Sequence, residues 1–163
     1  MKFRYGIPGR QKGITLVEFA IVGAVAIMMI FAVLEMARAI FVANALTEAT
    51  RRGARMATVC PINDPAIAQV ATFNAPGAGN ASPIVNDLDT SDFVVEYLGR
   101  TGNVLGNPAD NFAAIRYVQL RVVNFQHELL IPFANITFTM PEFSTRLPRE
   151  SLGVPRSGAI TPC

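Results

Sequence analysis

Sixteen consecutive residues, Phe19 to Leu34, carry no charge and no strong hydrogen-bonding side chain, and this run constrains the chain more than any other feature. Extended back to Ile14 it has 21 residues. At about 1.5 Å per helical residue that length crosses a hydrocarbon core of about 30 Å. The flanks are asymmetric: Lys2, Arg4, Arg10 and Lys12 precede the run with no acid among them, and no lysine follows Lys12. The positive-inside rule then puts residues 1–13 in the cytoplasm and the rest outside. One charge breaks the pattern. Glu18 sits just inside the apolar segment, five residues after Gly13. A carboxylate in lipid costs about 2.5–3.5 kcal/mol at the centre and less near the interface, so it persists where it finds a partner.

The net charge of +2 conceals this division, since the chain beyond residue 13 has ten arginines against twelve Asp and Glu. A basic head on a slightly acidic body is a targeting pattern. The body lacks the clustered basic face that neutralising phosphates requires, so nucleic acid is excluded as a partner.

Two conventional fates suit the apolar segment. It is either an uncleaved signal anchor or a secretory signal peptide cut at Ala37–Arg38–Ala39, an A-x-A site. Glu35 and Arg38 make that cut unusual, and neither fate supplies a partner for Glu18. The stretch "GITLVEF" resembles the cleavage motif of type IV prepilins, in which a basic leader ends in Gly and Glu stands at the fifth mature position. The continuation to "RRGARMA" is similar to the TadE-like family of pseudopilins in tight-adherence (Flp) pilus systems, through Val17–Ala20 and Gly53–Ala57. The resemblance covers Gly13 to about Cys60, and departs at Gly23, where many relatives carry proline shortly after the glutamate. It implies cleavage between Gly13 and Ile14 by a prepilin peptidase. The new Ile14 amine would then neutralise Glu18 of a neighbour or of the same chain, setting register during assembly. Further partners implied are other pilins, an inner-membrane platform and its ATPase.

No proline interrupts Ile14 to Cys60, and alanine is frequent, so one helix over 14–60 is expected, its half 14–34 in membrane lipid. Beyond the lipid, Met36, Ile40, Phe41, Leu46 and Val59 form its apolar side, and Glu35, Arg38, Asn44, Glu48, Arg51, Arg52 and Arg55 its polar side. The basic residues near its end complement the helix dipole. Pro61 ends it. A short helix over Pro65–Phe73 and a Gly/Pro/Asn loop follow. Alternation in "DFVVEYL", "IRYVQLRVV" and "NITFTM" predicts three half-buried strands of one antiparallel sheet against the long helix. "QHELLIPFA" reads as a connector ending at Pro132, and "RLPRESLGVPRSGAITPC" as an irregular tail.

Catalytic patterns are missing. His127 is the only histidine, so a histidine metal cluster is excluded, and no G-x-S-x-G or P-loop occurs. Asp87, Asp89 and Asp92 lack the glycine and terminal glutamate of a calcium loop and read as a solvated loop. Gly77 and Gly79 lack the strand–turn–helix context of a phosphate loop. Cys60 and Cys163 belong to no CxxC pair. Outside the cytoplasm they can form one disulfide, closing a loop of about a hundred residues; two separate thiols are the alternative.

The expected architecture is α+β: leader 1–13, helix 14–60 and an extracytoplasmic β-rich head over 61–163, a pilin-like lollipop. The expected function, implied by the resemblance, is a minor pilin or pseudopilin that assembles or primes a tight-adherence pilus. It is not an enzyme, has no cofactor or metal, and sits as a single pass in the inner membrane. The alternative is a membrane-anchored or secreted extracytoplasmic binding protein outside any pilus.

Overall fold

A computed structural model describes residues 13–131, 134–154, 158, 160 and 163. The basic residues Lys2, Arg4, Arg10 and Lys12, and Pro132 of the expected connector, lie outside the described residues. The long apolar helix is α1, Ile14–Val59, 46 residues. It is followed by α2 (Pro65–Ala71), β1 (Phe93–Leu98), β2 (Tyr117–Val122), β3 (Gln126–Ile131), β4 (Ala134–Thr139) and β5 (Phe143–Pro148). The chain divides into two units between Arg38 and Ala39. The second unit contains the last part of α1 packed on a small antiparallel sheet, an α+β architecture.

 That unit begins at Ala39 and holds every strand.

The face that α1 turns to the core is built from small side chains. Val42, Leu46, Ala49, Thr50, Ala54, Ala57 and Cys60 are buried, at helical spacings of three and four. Most of the large apolar residues of this stretch are exposed: Ile40, Phe41 and Val59 all face outward, as does Met36 in the first unit. Size explains the exchange. At Gly53 an added Cβ would lie 2.8 Å from the Ala71 Cβ and closer still to the Leu120 Cδ2. At position 53 the backbone of α1 therefore comes against α2 and β2 at a distance that only glycine permits. Glu48, Arg51, Arg52 and Arg55 remain on the exposed side.

α2 starts at Pro65, whose ring suits the first helical position, and Asp64 caps it by accepting the Ala66 N–H at 2.9 Å. Ile67 and Ala71 face the core. In β2 the alternation holds: Val118, Leu120 and Val122 are buried, whereas Gln119 and Arg121 lie on the other face; in β1 Phe93 and Tyr97 are buried, but Leu98 at its end is buried too. Arg121 there bridges Glu96 at 2.6 Å and Glu142 at 3.1 Å.

The third expected strand does not join this sheet. The sheet order is β1-β2-β5, with Leu120 opposite Thr145, and the "NITFTM" segment forms β4 of a separate hairpin with β3. Two readings are thereby corrected: "QHELLI" is a strand rather than a connector, and the tail's "RLP" ends β5. β5 is hard to see because its inward positions, Phe143, Thr145 and Leu147, include a threonine. That hydroxyl meets a polar partner, Thr50 Oγ1 of α1, at 3.0 Å.

The rest of the tail closes the end of α1. No basic residue falls in the last turn, so the expected charge complement is missing. Backbone donors take its place: Glu150 and Leu152 N–H groups donate to the Thr58 carbonyl at 3.2 and 3.1 Å, and Gly153 N–H to Val59 at 2.6 Å. These satisfy carbonyls that a helix end otherwise leaves open. Gly153 has φ +77°, and a Cβ there would lie 2.6 Å from Pro61 Cγ. Cys163 is joined to Cys60 by a disulfide, with Cα atoms 5.7 Å apart.

Tyr97 ties the loop after α1 to the sheet, its hydroxyl accepting the Asn63 N–H at 3.1 Å. Burial pushes the phenol above its ordinary value, against the opposing effect of that hydrogen bond. The neutral form is thus favoured in the folded state. Its stabilisation is complete below the unfolded value, near pH ~10, and is lost as pH rises from there through the folded value.

Three outcomes are expected in thermal or denaturant unfolding of the detergent-solubilised chain. Gly53→Val overpacks the α1 contact and lowers stability by about 1–3 kcal/mol. Cys163→Ser, which removes the disulfide at its exposed end, costs up to about 4–5 kcal/mol on the loop-entropy account. Tyr97→Phe costs about 1 kcal/mol at neutral pH, yet loses less stability than the parent above pH ~10; parallel alkaline profiles would contradict the assigned burial effect.

Candidate functional site

The first unit presents an apolar helical surface that nothing among the described residues covers. No part of the apolar window of α1 is buried, and Ile14 and Phe19 are 74% and 78% exposed. Length and composition are those of a membrane-crossing helix. Ala26, Met29, Ile30, Val33 and Leu34 line a shallow apolar groove along it, the i, i+3, i+4, i+7, i+8 spacing of one helical stripe. The helix continues through Gly23, where an added Cβ would meet nothing within 4 Å. Gly23, Ala24, Ala26 and Ala32 leave room for close approach by a second helix.

Gly13 is the last residue before α1, and Ile14 opens it. The Gly13 carbonyl accepts the Val17 N–H at 3.4 Å. Glu18 lies one turn beyond Ile14, on the same face of the helix. Its side chain is exposed, and among the described residues it has neither a hydrogen-bond nor an ion-pair partner. The helical spacing brings the expected cleavage position and the carboxylate onto one face, without a polar contact from elsewhere among the described residues.

Glu35 departs from expectation. Read as part of an exposed polar side, it is only 7% exposed. Arg38 answers it with a bidentate pair, one guanidinium nitrogen 2.9 and 3.0 Å from the two carboxylate oxygens. The i, i+3 spacing of the pair was legible in the sequence; the burial was not. A buried carboxylate needs such compensation.

The other candidates have structural occupations. Asp89 and Asp92 cap a single helical turn: Asp89 Oδ1 accepts from Ser91 N–H at 3.1 Å, and Asp92 Oδ2 from Asp89 N–H at 2.8 Å. Asp87 accepts from the Asn86 side-chain amide at 2.6 Å. The Gly77 N–H donates to Gln69 Oε1 at 2.6 Å, which closes the glycine-rich turn. His127 is buried in β3, its ring edge-to-face with Phe138 at 5.1 Å. No group of three or more His, Cys, Asp or Glu that could hold a metal occurs among the described residues. Gly53 is the residue whose importance spacing alone did not reveal, although the "GAR" motif contained it.

No curated protein matches the chain, and no solved structure does. A family model does match, over residues 13–55, and its description is TadE-like protein. That stretch contains Gly13, Ile14, Glu18, the apolar surface and Gly53, and it agrees with the resemblance carried by the "VEFA" and "GARMA" motifs. Over residues 13 to 55 the chain is similar to the TadE-like family.

Proposed function

We propose that the protein is a minor pilin or pseudopilin of a tight-adherence pilus, inserted in the inner membrane and matured by cleavage between Gly13 and Ile14. The observation that carries the reading is Glu18, an exposed carboxylate on an otherwise uncovered apolar helix, five residues past a glycine and inside the TadE-like stretch. Cleavage creates an α-amino group at Ile14. That cation and the Glu18 carboxylate neutralise one another, between neighbouring helices or within one. The pair removes most of the cost of carrying a charge in an apolar medium. Because the interaction is directional and the surrounding packing is not, it sets the axial register in which helices associate.

On this reading the basic leader, residues 1–13, stays cytoplasmic, residues 14–34 cross the bilayer, and the body from 61 to 163 faces away from the cytoplasm. The Cys60–Cys163 bond suits such an oxidising compartment. The groove from Ala26 to Leu34 receives a second pilin-type helix. The prepilin peptidase acts first, and the membrane platform with its ATPase moves the matured subunit. The role is structural, with helix packing in place of catalysis.

Mass spectrometry of the protein from membranes tests the maturation step: the expected N-terminus is Ile14. A chain beginning at Met1 leaves Glu18 without its cation, and one beginning at Ile40 has lost Glu18 altogether; either returns the protein to an anchored or secreted binding domain. Glu18→Ala is expected to abolish pilus assembly while leaving leader removal largely intact, checked by surface-pilus yield beside the processed fraction. Normal pili from that variant would sink the register role.

A further inference from the structure

The hairpin of β3 and β4 stands outside the main sheet, and no other strand among the described residues pairs with either of its outer edges. Two-stranded hairpins are marginal alone, and an open edge offers unpaired backbone donors and acceptors to another strand. The two edges differ in how they are guarded. β3 carries Glu128, exposed, at its centre. β4 has no charge and no proline from Ala134 to Thr139, and Ile136, Thr137, Phe138 and Thr139 are all exposed.

The phase of the backbone is set by the Met140 N–H, which donates to the Phe125 carbonyl at 2.9 Å. Alternation from that bond turns the backbone groups of Phe138 and Ile136 towards β3, and those of Thr137 and Thr139 outward. The register places Phe138 opposite His127 and Ile136 opposite Leu129. These four therefore share one face, and Thr137 and Thr139 share the other with Glu128 and Gln126. On the apolar face Ile136 is 48% and Phe138 37% exposed.

We propose that β4 pairs antiparallel with β4 of a second copy of this chain, about a two-fold axis through Thr137. With the axis there, the outward N–H and C=O of Thr137 meet those of the partner's Thr137. Ile136 then stands opposite the partner's Phe138, an aromatic against a β-branched side chain, a favourable cross-strand pair. A two-fold axis perpendicular to the sheet keeps both apolar faces on the same side. The result is a four-stranded sheet, β3-β4-β4-β3, with one continuous apolar face. Charge selects β4 over β3 as the self-pairing edge. Pairing β3 about Glu128 would set two carboxylates directly opposite each other, whereas β4 meets no like charge. This inference stands on the head alone and does not depend on the pilus reading.

The test uses the full chain in detergent, where the Cys60–Cys163 bond leaves no free native thiol. Thr137→Cys with a short bis-maleimide is expected to give a cross-linked dimer as the main product, at least about five times the yield from Glu128→Cys, the matched site on the other edge. Thr137→Pro removes only an outward N–H, which edge strands tolerate, and is expected to shift the native mass from dimer to monomer without lowering the melting temperature. Should the proline variant melt early, the ratio between the two cysteine sites decides alone. Equal cross-linking at both sites, or a dimer that survives a well-folded Thr137→Pro, assigns self-association to α1 and overturns the proposal. A chain that is monomeric and does not cross-link through position 137 overturns it too, and leaves the β4 edge to a different protein.

Discussion

The head depends on how closely the end of α1 approaches β2 and α2. Gly53 has no side chain because Leu120 and Ala71 occupy the space where one would be. Alanines at 49, 54 and 57 extend the same narrow seam. Close packing at that distance gathers dispersion contacts from backbone as well as side chains. It also leaves the longer residues of this stretch, Ile40 and Phe41 among them, to point elsewhere. A helix that is rich in alanine for reasons of propensity is here alanine-rich for reasons of fit as well.

The tail solves a separate problem. A helix ending at Val59, two residues before Pro61, leaves carbonyls that the chain beyond cannot satisfy locally. Residues 150–153 return to supply the N–H groups, Gly153 takes a left-handed backbone to pass Pro61, and Cys163 bonds Cys60. Sequence distance and spatial proximity are opposite here: the end of the chain completes the end of the first helix. Chain closure of this kind restricts the unfolded ensemble as well as capping the folded one.

The first unit is governed by solvent rather than by packing. Among the described residues neither its apolar surface nor Glu18 has a partner. A surface of this size in water is a docking surface or a membrane surface. The proposed subunit contacts supply both conditions, an apolar medium for the stripe and a cation for the carboxylate. Glu35 shows the same chemistry completed internally, since Arg38 pairs with it one turn later.

Much was legible in order of sequence: the extent of the apolar helix, the glycine and glutamate at its start, the alternation of β1 and β2, and the proline-started α2. Each rests on local rules, namely hydropathy over a span, a period of 3.6 or of 2, and the fixed geometry of proline. What tertiary structure alone decided is which strand fills the third place in the sheet. "NITFTM" has the stronger alternation, yet β5 takes that place, with Thr145 meeting Thr50 on α1. It also decided that small residues face the core and that Glu35 is buried. These outcomes depend on distances between segments far apart in sequence, and no local pattern encodes such distances.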